Sequence, residues 1–405
     1  RELAVEGIHV RDDRGGVGGQ RQVRVGSRIP GHDGEARAGE DVHHDRDVVA
    51  HAVDAGLAAV PVLGGHGAGA VDDEVDLKGR GHFLGLAGLS AAGLALSGCN
   101  SGKKAKVQGG SRTVKDLDGN EIEVPASPQK VVAMSEPTLD NALALGVPLV
   151  GATAGRGQST IPNYLSDKGK DIPILGNVAQ PNFEAIGAAK PDLILVDGTS
   201  VNNNQPVLDA LAKIAPTVYT GYPGGDWREN LRLTADALNM VDEAEDLMKD
   251  YDKKVKDATK KLEKYQDKTF SIIRWQGNNA ALILKELPAG RALTDLGLKR
   301  PPAQDREGKG HSEPVSQENL SDIDADYIFF GTLGGSSVGN TQAGGSVDTE
   351  GAKEAIAEAT KVPGFEDLYA YQEDHIIPVD GSLWTSTGGV LLMNTIVDQV
   401  VEFLV

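Results

Sequence analysis

From Asp226 to Gln266 the chain contains neither proline nor glycine. Nothing in that stretch breaks a helix, so any fold must be arranged around it. Its second part, residues 242–266 (DEAEDLMKDYDKKVKDATKKLEKYQ), is strongly charged, with Leu247, Tyr251, Val255 and Leu262 near one face. That is the pattern of a helix with one packed and one solvated side. About 25 residues at 1.5 Å each would make a rod of roughly 37 Å. On either side of it, short apolar runs alternate with helical ones.

Upstream, residues 113–124 (TVKDLDGNEIEV) alternate around Asp118-Gly119, the signal for a β-hairpin. Strands are expected at 128–134, 147–153 and 193–196, with helices at 138–145, stopped by Gly146, and at 183–189. Downstream, strands are expected at 270–275, 282–284, 326–330 and 375–379. Helices follow at 292–296, 317–320, 349–360 and 389–403, with a Gly/Ser-rich loop at 331–345. Strands alternating with helices imply parallel, doubly wound sheets. The fold class is therefore α/β: two Rossmann-like lobes, 112–240 and 268–405, joined by one long backbone helix over 241–267.

Composition narrows the function. The chain has 405 residues, a formal net charge of −19 and no Lys/Arg stripe, so nucleic acid is excluded as a partner. One cysteine, Cys99, excludes an internal disulfide, a CxxC redox centre and a cysteine-based zinc site. The uncharged run at 83–97 (FLGLAGLSAAGLALS), preceded by Lys78 and Arg80 and leading into Leu96-Ser97-Gly98-Cys99, has the layout of a secretory signal. The cysteine at its end resembles the lipidation site of a bacterial lipoprotein, with 78–98 as signal peptide and 99–111 as a flexible tether. A buried helix with a packed free cysteine is the competing reading. Arg80 with Phe83-Leu84 matches half of a twin-arginine signal, which leaves the export route open between Sec and twin-arginine. Residues 1–77 show no sustained period of 2 or 3.6. They are expected to be a disordered, non-native or mis-assigned extension, with translation starting near Val75 or Leu77. The rival for that stretch is a metal-binding tail using His43, His44 and Asp45.

From about residue 112 onward the order of motifs resembles the iron–siderophore family (FecB/PeriBP-like, class III) of ABC-transporter substrate-binding lipoproteins. The residues that carry the resemblance are Asp116-Leu117-Asp118-Gly119 with Val124-Pro125, Pro128-Gln129-Lys130-Val131-Val132 and Leu145-Gly146-Val147-Pro148-Leu149-Val150-Gly151. Further along come Pro181-Asn182-Phe183-Glu184, Lys190-Pro191-Asp192-Leu193-Ile194, Leu296-Gly297-Leu298, and Val315-Ser316-Gln317-Glu318-Asn319-Leu320 with Asp324-Ala325-Asp326. The resemblance implies a ligand held between the lobes and a bridging helix that stiffens the molecule. It also implies capture of a ferric siderophore with hydroxamate or carboxylate oxygens, no resident cofactor, and delivery to an ABC permease with its ATPase. The only membrane contact it implies is through the lipid anchor.

On that basis the ligand-binding candidates are Arg156, Tyr222, Arg274, Trp275 and Trp384. Arg274 ends the first strand of the second lobe, where the family often places an arginine, and a guanidinium fork suits the oxygens around ferric iron. Trp and Tyr offer flat walls for a siderophore skeleton. For Arg274 the competing reading is a surface salt bridge; for Trp275 and Trp384 it is core packing. Glu184 and Glu318 each start a helix, one per lobe, and match family positions that dock on permease arginines; stabilisation by the helix dipole, worth about 0.3–1 kcal/mol, accounts for the same placement. Haem through Tyr222 or His311, cobalamin, and a structural lipoprotein are the alternative functions. The sequence has no HExxH or P-loop, and the Gly/Ser-rich run 331–345 reads as a loop, so no catalytic residue is assigned and an enzyme is not expected.

Overall fold

The computed structural model describes residues 110–201, 204–335 and 345–405. Cys99, the signal-like segment 78–98 and the extension 1–77 lie outside the described residues, as does the tether up to 109. Ser111, expected in that tether, already pairs with Pro125. It begins an antiparallel ribbon of β1 (Ser111–Lys115) and β2 (Glu121–Pro125), turned at Gly119, whose φ is 78°.

The first sheet contains β3 (Val131–Ala133), β4 (Leu149–Ala154), β5 (Ile174–Asn177), β6 (Gln180–Pro181), β7 (Leu193–Val196) and β8 (Thr217–Tyr219), in the order β6-β5-β4-β3-β7-β8. All pairings are parallel except the short edge strand β6. Taken without β6, the chain winds outward from β3 in both directions, the 3-2-1-4-5 order of a Rossmann half. The helix Glu136–Leu145 follows β3 and ends at Gly146, whose φ of 73° supplies the left-handed cap.

The second sheet is mixed, which corrects the expectation of a parallel one. Its order is β11-β10-β9-β12-β13, from β9 (Phe270–Gln276), β10 (Asn279–Leu282), β11 (Glu313–Val315), β12 (Tyr327–Thr332) and β13 (Ile376–Pro378). β9, β12 and β13 are parallel, whereas β10 runs antiparallel to both its neighbours, β9 and β11. The reason is local. Gln276 pairs with Asn279 across the two-residue turn Gly277-Asn278, and Gly277 takes a φ of 57° that an L side chain resists.

Between the sheets the Pro/Gly-free stretch forms two helices, Trp227–Leu238 and Val241–Lys261. Asn239 breaks the run at φ 61° and donates its side-chain amide to Ala126 O. The long helix is 21 residues, or about 31 Å, and not the 37 Å expected. It does not join the lobes alone. One continuous buried cluster takes in Val131 and Leu195 of the first sheet, Phe270, Ile272 and Phe329 of the second, and Leu231, Tyr251, Leu293, Ile396 and Val400 from the helices between them. Two lobes that share a core this way resist hinge motion, because opening would expose apolar surface at about 25 cal/mol per Å2.

Candidate functional site

The C-terminal ends of β4, β5, β7 and β8 in one sheet, and of β9 and β12 in the other, open onto one cavity of about 480 Å3. Its first-lobe wall comes from residues 155–158, 177–179, 198–200 and Pro223. Its second-lobe wall comes from Arg274, Gln276, Leu287, residues 309–312, Leu333 and residues 385–387. This is where open α/β sheets bind ligands, because the loops diverge beyond the carboxyl ends of the strands. The lobes touch beside it. Gly224 (φ 73°) and Gly310 (φ 77°) approach so closely that a Cβ on Gly224 would lie 2.6 Å from the Gly310 Cα. The Arg291 guanidinium donates to Gly224 O at 3.1 Å and the Gly310 N–H to Glu286 Oε1 at 3.2 Å.

Arg156 and Arg274 are brought together at this cavity. Arg156 follows β4 and is pinned: its Nη1 donates to Glu136 Oε2 at 2.9 Å, its backbone N–H to Glu136 Oε1 at 2.9 Å, and its Nη2 to Thr199 O at 2.8 Å. Arg274 has no carboxylate partner among the described residues. Its Nη1 donates to Thr385 O at 3.3 Å, its Nη2 to the Ser312 hydroxyl, and its Nε is buried without a partner. Burial first, and the Arg156 guanidinium second, push Arg274 down to about 10. A half-buried cation with an enclosed, unpartnered Nε is costly unless an anion arrives to meet it. Lys309 and His311 add to the same wall, and among the described residues none that lines the cavity is acidic. A protein of net charge −19 thus presents a cationic cleft.

The aromatic expectations divide. Tyr222 is 50% exposed beside the lining residue Pro223, on the rim and outside the cavity wall. Trp275 is 2% exposed and packs on Phe330 and Phe365 at centroid distances of 5.7 and 5.5 Å. Side chains alternate along a strand, so Arg274 and Gln276 face the cleft while Ile273 and Trp275 enter the opposite core. Trp384 is also core: fully buried, it stacks on Phe329 at 4.2 Å and donates its indole N–H to Gln399 Oε1 at 2.6 Å. Neither tryptophan walls the cavity, which corrects both assignments; Trp384 anchors the turn from which residues 385–387 reach it.

Glu184 and Glu318 are exposed and lie in the first turns of the helix Phe183–Ala189 and of the 3-10 segment Gln317–Ile323, one per lobe. Neither makes an ion pair with a described residue. The residues that sequence reading missed are Glu136, Thr199, Ser312 and Thr385, the partners of the two arginines. Only Glu136 left a trace, as an acid just after the helix cap Ser135 and before Pro137.

Two α/β lobes on a shared core, with a cavity carrying Arg156 and Arg274 between their strand ends, make a ligand-binding protein of the two-lobed type. A match over residues 131–383, more than half the chain, shows that it belongs to the periplasmic binding protein family, whose members here are substrate-binding proteins and not enzymes. The chain is 30% identical over 317 residues to the probable siderophore-binding lipoprotein YfiY of Bacillus subtilis, covering 76% of this chain and 93% of that protein. It is 26% identical over 311 residues to the petrobactin-binding protein YclQ of the same organism, covering 73% and 90%. Among solved structures it is similar to Staphylococcus aureus SirA complexed with staphyloferrin B, with a TM-score of 0.60 at 29% identity, covering 72% of this chain and 98% of SirA.

Proposed function

We propose that this protein captures a ferric siderophore in the inter-lobe cleft, outside the cytoplasm, and delivers it to an ABC permease and its ATPase for iron uptake. The observation that carries the reading is Arg274, a half-buried guanidinium with an enclosed, unpartnered Nε and no carboxylate partner among the described residues, facing a cavity that also presents Arg156, Lys309 and His311 and, among the described residues, no acidic wall residue. Such a site binds the oxygens of a chelate that already encloses its iron. Among the described residues no group of three or more His, Cys, Asp and Glu side chains is placed to hold the metal directly. Anionic carboxylate chelates fit this charge better than neutral hydroxamates. Relatives named for siderophore and petrobactin binding support the cargo class.

In this reading a lipid on Cys99 holds the protein at the membrane, and Glu184 and Glu318 meet permease arginines. The test is titration with ferric citrate, ferric staphyloferrin B, a neutral ferric trihydroxamate, haem and cobalamin, followed by tryptophan fluorescence. Saturable quenching by a ferric chelate and by neither haem nor cobalamin is expected; no quenching by any ferric chelate refutes the cargo. Charge reversal at Glu184 and Glu318 together is expected to abolish uptake with affinity intact, and a loss of affinity would place them in the cleft instead.

A further inference from the structure

Among the described residues Glu136 is the one carboxylate bonded to a cleft arginine, and nothing in its sequence context marks it as part of a binding site. It opens the helix Glu136–Leu145 and is 2% exposed. A glutamate in a first helical turn usually needs only solvent and the helix dipole. This one is turned inward, with one oxygen on the Arg156 backbone N–H and the other on the Arg156 guanidinium. The Ser386 hydroxyl, from the opposite lobe, stands 3.5 Å from Oε1. Arg156 is thereby fixed at three points, counting Thr199 O, and its charge is cancelled by an adjacent buried anion. Arg274, with no such partner, stays uncompensated.

We infer that Glu136 is a specificity-determining and positioning residue: it holds Arg156 as a fixed donor of hydrogen bonds while cancelling its charge, and so sets how much negative charge the cleft accepts in a ligand. The inference rests on the proposed capture of a ferric chelate in this cleft. One unit of charge several ångströms from a multiply charged anion, at an effective dielectric of about 20 to 40, is worth about tenfold or more in affinity. Removing the negative charge of Glu136 therefore favours more anionic chelates, and removing the positive charge of Arg156 disfavours them.

The experiment is a double-mutant cycle on the full chain at pH 7.5, above the value of about 6 to which burial raises the nearby acid Asp197. Affinities for ferric staphyloferrin B and for a neutral ferric trihydroxamate are measured by fluorescence quenching in wild type, Glu136→Gln, Arg156→Gln and the double variant. The ratio of the two affinities is the readout, because a merely structural defect lowers both alike. Glu136→Gln is expected to move the ratio at least tenfold toward the anionic chelate, Arg156→Gln at least tenfold away from it, and the double variant back to within about threefold of wild type. Equal changes for both chelates in both single variants overturn the inference while leaving the cargo reading intact. If Glu136→Gln does not fold, Arg156→Gln and the double variant decide: an unmoved ratio in Arg156→Gln, or one not restored in the double, refutes it. Wild type binding neither chelate would instead refute the proposed function.

Discussion

The carboxylate of Asp140, on the first helix of the first lobe, accepts the backbone N–H of Leu391 at 2.8 Å, in the opening turn of the last helix of the second lobe. Its other oxygen accepts Leu392 N–H at 2.9 Å and the Tyr164 hydroxyl at 2.9 Å. One lobe thus caps a helix of the other, and the positive end of that helix dipole meets a negative charge. Gly389 makes this approach possible, since a Cβ there would strike Asn141 Oδ1. Asp140→Ala is expected to cost about 2–4 kcal/mol, a buried charged cap together with its orphaned donors, measured by urea unfolding. A loss under about 0.5 kcal/mol would mean that the lobes hold together without it.

Burial raises Asp140 to about 6, and raises Asp197, beneath the cleft, to about 6 as well. The native state therefore keeps protons on both acids between about pH 4 and 6, where the unfolded chain has released them. Their contribution is fully present below the unfolded value of 3.8 and is lost as pH rises through about 6. Asp197 offers the cleaner test, because its Oδ2 has no partner while Oδ1 keeps the Thr199 backbone and hydroxyl. Asp197→Asn is expected to match wild type near pH 4 and to exceed it by about 1–2 kcal/mol at pH 7.5. A difference that does not vary with pH would contradict the burial argument.

Arg274 opposes stability to binding. It is half-buried, with its Nε enclosed and unpartnered, and held down to about 10, so the empty protein bears the cost of keeping it charged. Arg274→Met fills much of the same volume with an apolar stem. Thermal unfolding should shift upward by a few degrees, about 1 kcal/mol, while affinity for an anionic ferric chelate falls at least 100-fold. A variant less stable than wild type with affinity retained would make Arg274 a structural residue.

Much of this architecture could be read from patterns that local physics enforces. The helix stop at Gly146, the Asp-Gly hairpin and the buried run at Leu193–Val196 all followed from single-residue preferences or periodicity. The mixed second sheet did not, although Gly277-Asn278 is a hairpin signal; the returning strand has only four residues, and the two flanking strands were read as separate pieces. In the site, the arginines were recognisable because a charge at a strand end has few structural uses. Trp275 misled because it and Arg274 are neighbours on one strand and cannot face the same side. Thr385 was invisible and Glu136 showed only as a helix-opening acid, since their bonds to Arg274 and Arg156 form only when segments distant in sequence meet.

Trp275 therefore has an expected phenotype opposite to that of a ligand wall. Trp275→Ala should cost about 3–5 kcal/mol, a large cavity among Phe330 and Phe365. Trp275→Phe should cost much less, because the indole N–H is buried with no partner to lose. In the Phe variant, chelate affinity measured by calorimetry should stay within about twofold of wild type. A tenfold loss without a drop in melting temperature would return Trp275 to the cleft.

Gly310 tests whether the approach of the two lobes beside the cavity matters to binding. Its φ of 77° is left-handed, and an added Cβ would run into Pro223 O of the first lobe. Two penalties combine in Gly310→Ala: about 1 kcal/mol for the backbone conformation, and the displacement of a cross-lobe contact that flexible side chains cannot absorb. Because the shared core already joins the lobes, the fold should survive, with a stability loss of about 1–3 kcal/mol in urea. The loop of residues 309–312 should move, carrying Ser312 away from Arg274 and Lys309 out of the wall. Affinity for the ferric chelate should then fall at least tenfold, chiefly through faster release, since contact between the rims shields the bound ligand. Gly119→Ala provides the comparison: it has the same left-handed φ, of 78°, but open space around its Cβ. It should lose similar backbone energy and bind normally. Equal affinity losses in both variants would assign the effect to general strain and remove the rim contact from the binding argument.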